Sequence, residues 1–438
     1  MKIYNSLTNQ KEDFVSQKKN HLSMYVCGPT VYNYIHIGNA RPVVFFDVVR
    51  RYFEYLGYQV NYVSNITDID DKIILEAEKL KISETKLTTY FTEQFIKDTL
   101  SLGSLLPSKM PKATEYVIEM IFYINDLIEK SYAYQSGDSI YFRVNKIADY
   151  GKLSNQVLAD LSVGARVDED LKKESPHDFT LWKTTDLGLN FDSPWGRGRP
   201  GWHTECAVMN QAIFGEKIDI HGGGNDLIFP HHENEIAQSE AISNHSLAQV
   251  WMHVGRLDLA NVKMSKSLGN IILVKDLLEE YEYQGFRMLI LSHHYRQPIN
   301  FSYELMNQFD SEWQRIKRTL KQALVEISIN YYEVVEYNDL ALDAFKVAMD
   351  DDFNCANAFT VIYDQIKQIN KTQDLKEKAR LYYTTVLMLN VLGIQTDLKR
   401  LTDEQIQDYH AWQTARREKR YQEADEIRIR LIEAGILL

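Results

Sequence analysis

The sequence predicts an α/β fold: a Rossmann-like parallel sheet split by an insertion and followed by an α-helical C-terminal domain. Three observations predict it. Residues 22–27 (LSMYVC) alternate as a strand does, Gly28-Pro29-Thr30 breaks the pattern, and Ala40, Val44, Val48, Tyr52 and Leu56 then recur every fourth residue until Gly57. Residues 60–66 alternate again and complete a βαβ unit of the kind that builds a parallel sheet. Strand-like segments return at 217–221 and 251–257, each followed by a polar, glycine-bearing loop, so the second half of the same sheet is expected there.

Between these halves, residues 91–161 are mostly helical in pattern with one β-like interruption at 139–144, which marks an insertion. Beyond Tyr303 glycines almost vanish and helical patterns run over 305–325 and 344–392. The expected boundaries are 1–95 for the first half of the sheet domain, 96–190 for the mostly helical insertion, 191–300 for the second half, and 301–438 for the helical domain. The last stretch, 403–438, reads as a charged helix.

The chain has 438 residues, 45% hydrophobic and 25% charged, which excludes a single small binding module and extensive disorder. Lys and Arg number 49 against 61 Asp and Glu, a net charge of −12, so no global positive field draws in a polyanion. A nucleic-acid partner must be held by local basic patches. Three scattered cysteines, Cys27, Cys206 and Cys355, make no disulfide framework and point to a reducing cytoplasm. No run approaches the ~18 apolar residues of a membrane span; the best candidate, 42–49, is broken by Asp47.

Two local motifs carry chemistry. His36-Ile37-Gly38-Asn39 opens the first helix, where unpaired N–H groups and the dipole favour phosphate, His36 adds a donor, and Gly38 allows close backbone approach. Lys263-Met264-Ser265-Lys266-Ser267 lies about 225 residues later between a strand-like and a helix-like segment, and its two ammonium groups can neutralise a triphosphate and its leaving pyrophosphate. A third constellation is metallic. His231 and Glu235 are four apart in a helix-like segment, Cys27 sits at a strand end, and Cys206 can complete a tetrahedral S, S, N, O set for Zn2+. Spacing alone leaves open that the thiols are small buried hydrophobes and that His231 and Glu235 form a surface pair.

The two motifs together resemble the signatures of class I aminoacyl-tRNA synthetases. The blocks 24–32 (MYVCGPTVY), 65–72 (NITDIDDK), 201–206 (GWHTEC), 219–224 (DIHGGG) and 229–235 (FPHHENE) resemble the cysteinyl-tRNA synthetase family, densely as far as residue 270. The resemblance implies a zinc site of Cys27, Cys206, His231 and Glu235, with His232 a rival to His231. It implies substrate contacts from Thr67, Trp202 and Asp226 with His221 close by, ATP contacts from His36, Gly38, Asn39 and Lys266, and catalytic roles for His36, Asn39, Lys263 and Lys266. The implied partners are L-cysteine, ATP with Mg2+, and tRNA(Cys), on a monomer. Serine is nearly isosteric with cysteine, and a discrimination of ~10⁴ needs about 5.5 kcal/mol, which zinc can supply by preferring a thiolate to a hydroxyl.

Two departures stand out. Asn39 replaces the second histidine of the usual class I signature, so it can donate an N–H but cannot become cationic. After 434–438 (AGILL) a short basic, aromatic tail usual in the family is expected to be missing, and with it part of the anticodon contact. In the C-terminal domain Arg416, Arg417, Lys419 and Arg420 form the densest basic cluster, expected to meet tRNA phosphates, with a solvated face paired to Glu418 and Glu423 as the alternative. Two competing functions are a zinc-dependent ligase that joins cysteine to an amino-sugar acceptor, and a non-catalytic zinc-containing RNA-binding module.

Overall fold

The structure, a computed structural model, describes residues 1–157, 173–215, 217–259, 262–264 and 269–437. Strands His21–Val26, Gln59–Ser64, Ile218–Gly224 and Ala248–Val254 pair in parallel, in the order 248–254, 218–224, 21–26, 59–64. The strand Ile218–Gly224 is buried through Gly223, the continuous run expected where both faces are covered. Helix Ile37–Tyr55 makes the first crossover, and Ala40, Val44, Val48 and Tyr52 of the i+4 series are fully buried. Each large side chain so buried stabilises the layer by about 1.5–3 kcal/mol. The helix stops where Gly57 takes a left-handed φ of +86°.

From His21–Val26 the chain crosses to one side of the sheet, and from Ile218–Gly224 it crosses to the other. The strand order therefore reverses between these two neighbours, and the crevice beyond their carboxyl ends is where a parallel sheet exposes helix N-termini and loops together.

The insertion differs from its mostly helical reading. Strands Ala133–Ser136, Ser139–Phe142, Phe179–Thr184 and Gly198–Pro200 form an antiparallel sheet against helix Val117–Glu129. Its first hairpin turns at Gly137, φ +58°, but its third and fourth strands arrive from far along the chain. Local periodicity cannot see such pairing in strands this short. A small three-stranded sheet follows, with Leu257–Leu259 parallel to Ile299–Phe301 and antiparallel to Val262–Lys263.

The chain divides into two compact units, residues 1–280 with 295–301 and residues 281–294 with 302–438. The second unit is helical. Trp313 of helix Tyr303–Ile329 is fully buried and donates Nε1–H to Glu282 at 2.7 Å, and the buried Arg287 donates to the carbonyl of Leu392 at 2.9 Å, just past helix Leu375–Val391. Cys355 opens helix Cys355–Lys371 and is buried there as a small core residue. The charged stretch at the end is two helices, Asp403–Arg417 and Tyr421–Glu433, broken where Lys419 adopts a φ of +61°.

In the first unit, Asp98 of helix Glu84–Ser101 is 4% exposed, and burial pushes its carboxyl up to about 6 from an ordinary 3.8. Nearby Lys97 and Lys275 oppose that shift and Asp276 adds to it. The folded chain therefore holds a proton that the unfolded chain has lost, and this contribution is full below about 4 and disappears as pH rises through about 6. Asp98→Asn should melt at a higher temperature than the parent at pH 7.5, with the difference shrinking to nothing near pH 4; thermal melts across that range check it.

Candidate active site

The crevice at the strand-order reversal is lined from four places in the chain. Cys27 directly follows His21–Val26, and its N–H donates to the Gly222 carbonyl at 3.0 Å. Gly222 has to be glycine, because a Cβ there would stand 2.2 Å from Cζ of Phe46. Cys206 lies on helix Trp202–Phe214 and His221 on the neighbouring strand. Glu235 sits in the first turn of helix Glu233–Ser243, and His231 precedes it in the irregular turn Ile228–His232, where Phe229 is extended.

Their donor atoms converge. Cys27 Sγ is 3.6 Å from Cys206 Sγ, 3.6 Å from His221 Nε2 and 3.3 Å from Glu235 Oε1. His231 Nε2 is 3.0 Å from Glu235 Oε1, and His221 Nε2 is 3.2 Å from Glu235 Oε2. Among the described residues, two sets of four have all donors within 4.8 Å of one another: Cys27, Cys206, His231 and Glu235, and Cys27, His221, His232 and Glu235. In a zinc tetrahedron with Zn–S of ~2.3 Å and Zn–O or Zn–N of ~2.0 Å, the edges would be about 3.8 Å for S to S, 3.5 Å for S to O and 3.3 Å for N to O. In the first set, which has the second sulfur, the Cys27–Cys206, Cys27–Glu235 and His231–Glu235 edges match these lengths within a few tenths of an ångström. His232 points its Nδ1 instead at His253 Nε2, 2.8 Å away, and its Nε2 is 4.0 Å from Glu235.

Electrostatics make the same demand. Burial, with Cys206 and Glu235 beside it, pushes the Cys27 thiol well up, and burial raises Cys206 as well. Burial also holds His231 down to about 3 and His203 to about 4, so both imidazoles are neutral and carry a lone pair. Glu235 lies below the usual carboxylate range in spite of its burial, with the imidazoles of His221 and His231 within hydrogen-bond distance of its two oxygens. Two thiols and a carboxylate can be anionic together in such a place only beside a cation, and the residues present fit one.

Around the cluster stand groups that spacing could not single out. His203 Nδ1 is 3.0 Å from His231 Nδ1, and the Trp202 ring stacks on His231 with centroids 4.4 Å apart, so both orient that imidazole. Thr67, fully buried, donates Oγ–H to Glu205 at 3.0 Å and faces Asn65 Nδ2 at 3.2 Å, while Asn65 Oδ1 accepts from the Gly28 N–H. His253 bonds Ser6 at 2.8 Å behind His232. Asn65, His203 and Glu205 lie inside the motif blocks, but nothing in their spacing set them apart. Asp226 is exposed in the Asn225–Leu227 turn.

The two motifs meet in the fold. His36 caps helix Ile37–Tyr55, its Nδ1 accepting from the Asn39 N–H at 3.3 Å while Asn39 Oδ1 accepts from the His36 N–H at 3.3 Å. Asn39 thus closes a capping box that a histidine would not close in the same way. The Ile37 N–H donates to Ile272 at 2.9 Å and the Val274 N–H to Ile35 at 3.1 Å. A Cβ on Gly38 would lie 2.9 Å from the His36 ring and 3.4 Å from Cε of the buried Met264. Lys263 ends the strand Val262–Lys263, and Lys266 lies outside the described residues.

In the helical unit the four basic residues are not equivalent. Arg420 pairs with both Glu418 and Glu423, and Arg416 lies over the Trp412 ring at 4.8 Å. Arg417 and Lys419 are exposed at the break between the helices.

Comparison with known proteins agrees with this arrangement. Residues 13–311 match the family described as tRNA synthetases class I (C) catalytic domain, and residues 344–396 match the DALR domain. The chain is 48% identical to the cysteine-tRNA ligase of Acholeplasma laidlawii over 437 residues, all of both chains. It is 45% identical to that of Staphylococcus carnosus, covering all of this chain and 97% of the relative. Mycobacterium tuberculosis methionyl-tRNA synthetase with methionyl-adenylate shares the fold, with a TM-score of 0.64 over 85% of this chain and 90% of the other at 15% identity. Matched along its whole length and through both domains, the chain belongs to the cysteine-tRNA ligase family of class I aminoacyl-tRNA synthetases.

Proposed function

We propose that this chain activates L-cysteine with ATP and passes the cysteinyl group to the 3′ end of tRNA(Cys), working as a monomer in the cytoplasm with Zn2+ held by Cys27, Cys206, His231 and Glu235. The convergence of two thiols, an imidazole and a carboxylate at the strand-order reversal, beside the His36 helix, is the observation that carries this reading. Bound by these four residues, Zn2+ would supply a soft Lewis acid that prefers a thiolate to the hydroxyl of serine. Trp202 and His203 keep His231 oriented, and Thr67 offers its oxygen, already donating to Glu205, to the substrate ammonium. Asp226 is the remaining contact to the bound amino acid.

Activation forms a bond from a cysteine carboxylate oxygen to the α-phosphorus of ATP and breaks the bond from that phosphorus to the departing pyrophosphate, whose charge Mg2+ would help to screen. Charge grows on the phosphoryl oxygens, and the groups placed to meet it are His36, the helix start at Gly38 with Asn39, Lys263 and Lys266. Transfer then joins the terminal ribose hydroxyl to the activated carbonyl and releases AMP. Arg416, Arg417, Lys419 and Arg420 are the proposed tRNA contacts, with Arg417 and Lys419 carrying more because Arg420 is bound up with two carboxylates. Cysteine-dependent exchange of pyrophosphate into ATP, followed by charging of unfractionated tRNA, tests the whole. Exchange without charging would favour the amino-sugar ligase, and no exchange the inert module.

Cys206→Ser should lose most of its zinc by atomic emission and most of its cysteine activation, since a neutral hydroxyl replaces a thiolate. Gly38→Ala should lower kcat for pyrophosphate exchange by about 10- to 100-fold at unchanged zinc content, because its methyl would press the His36 ring out of place. Neutralising Arg417 and Lys419 together should raise KM for tRNA and flatten its salt dependence, with pyrophosphate exchange unchanged.

A further inference from the structure

Arg41 is 1% exposed, one turn into the helix that His36 caps. A buried guanidinium is costly, and the nearby charge of Asp258 offsets part of that cost. Arg41 Nη1 donates to the carbonyls of Gly255 at 2.7 Å and Arg256 at 2.8 Å. These two residues are where the chain leaves strand Ala248–Val254 and turns into the small sheet. The junction is tight: the Gly255 N–H donates to Tyr295 at 2.7 Å, the Arg256 carbonyl also accepts from the Ile299 N–H at 3.0 Å, and a Cβ on Gly255 would lie 2.5 Å from the Gln297 carbonyl oxygen. From the junction the chain runs through Leu257–Leu259 and Val262–Lys263 to Met264, whose methyl lies near Gly38.

The chain is thus fastened to one short piece at 255–256, before these strands, and again at 272 and 274. The later fastening is by main chain, Ile37 to Ile272 and Val274 to Ile35, which side-chain chemistry does not decide. The earlier one is made to that same helix by the Arg41 side chain. Ile37 and Arg41 are four apart and so lie on one face of the helix.

We infer that Arg41 is a positioning residue for adenylate formation: by holding the Gly255 and Arg256 carbonyls it sets where the two strands that follow, and Met264 at their end, stand relative to the His36 helix start. The inference rests on the proposed ligase reading. A Lys at 41 keeps the charge, but its stem ends about one bond short of the Nη1 position that meets both carbonyls. A displacement of about 1 Å at a reacting centre costs on the order of 10²-fold.

The test uses the full chain loaded with zinc, comparing the parent with Arg41→Lys and Arg41→Gln in cysteine-dependent pyrophosphate exchange, with thermal melting and zinc content measured in parallel. The expected result is a 10- to 100-fold fall in kcat for at least Arg41→Lys, with zinc content and KM for cysteine unchanged and the chain folded at the assay temperature. Parental kcat in both variants overturns the inference. So does activity that falls only in step with folded fraction or bound zinc, or failure of both variants to fold, since any of these makes Arg41 a core-packing residue. If the parent itself shows no cysteine-dependent exchange, the ligase reading fails instead.

Discussion

The pairing of His21–Val26 with Ile218–Gly224 is the constraint on which the site depends. It sets Tyr25 against His221 and Val26 against Gly222, and the next N–H, that of Cys27, continues the ladder to Gly222. A slip of one residue would turn the side chains of the strand to opposite faces. With the register as it is, a thiol and an imidazole 194 residues apart in sequence stand 3.6 Å from one another. The glycine at 222 is part of the same constraint, since the Phe46 ring of the covering helix occupies the space of any side chain there.

What surrounds the Cys27, Cys206, His231 and Glu235 cluster follows from burying so many polar groups together. Each imidazole meets a second polar partner: His231 meets His203, His232 meets His253, and His221 meets Asn210 at 3.2 Å. Such pairs choose tautomers and ring orientations, so the cluster is a shaped receptor before any ligand arrives. Glu233, in the same helix turn, faces away and accepts from the backbone of Gly151, Leu153 and Ser154, fastening the insertion to the helix that carries Glu235. A helix with almost no apolar face is held in the core by specific hydrogen bonds of this kind, which accounts for the buried run from Glu233 to Ser239.

The His36 side of the crevice is built differently, mostly from main chain. His36 and Asn39 satisfy one another across the first turn, and the backbone of Ile35 and Ile37 receives the segment around Ile272 and Val274. Asparagine suits this geometry because its oxygen accepts from the backbone while its amide nitrogen remains a donor. The replacement of a histidine at this position therefore has a structural reason as well as a chemical consequence.

Residues 22–66 announced their βαβ unit because strand alternation, a helix of spacing four and a glycine stop are all local signals, and each is enforced within a few residues of itself. The motif types were legible for the same reason: a glycine after a histidine at a helix start, or lysines in a polar loop, carry their chemistry wherever they fold. The antiparallel sheet of the insertion was not legible, since its strands are short and its paired residues lie up to 44 apart, as Ser139 and Lys183 do, and neither was the break at Lys419. Sequence spacing also could not choose between zinc and burial for Cys27, Cys206, His231 and Glu235, because nothing local relates residues 27, 206 and 231. The family resemblance named that set. The sheet register brings its donors within 4.8 Å of one another, and the same register decides that His232 turns to His253 while His231 faces Glu235. Sequence determined the elements and their chemistry; tertiary structure decided the company each side chain keeps, because proximity between distant residues is a property of strand pairing and packing and has no local code.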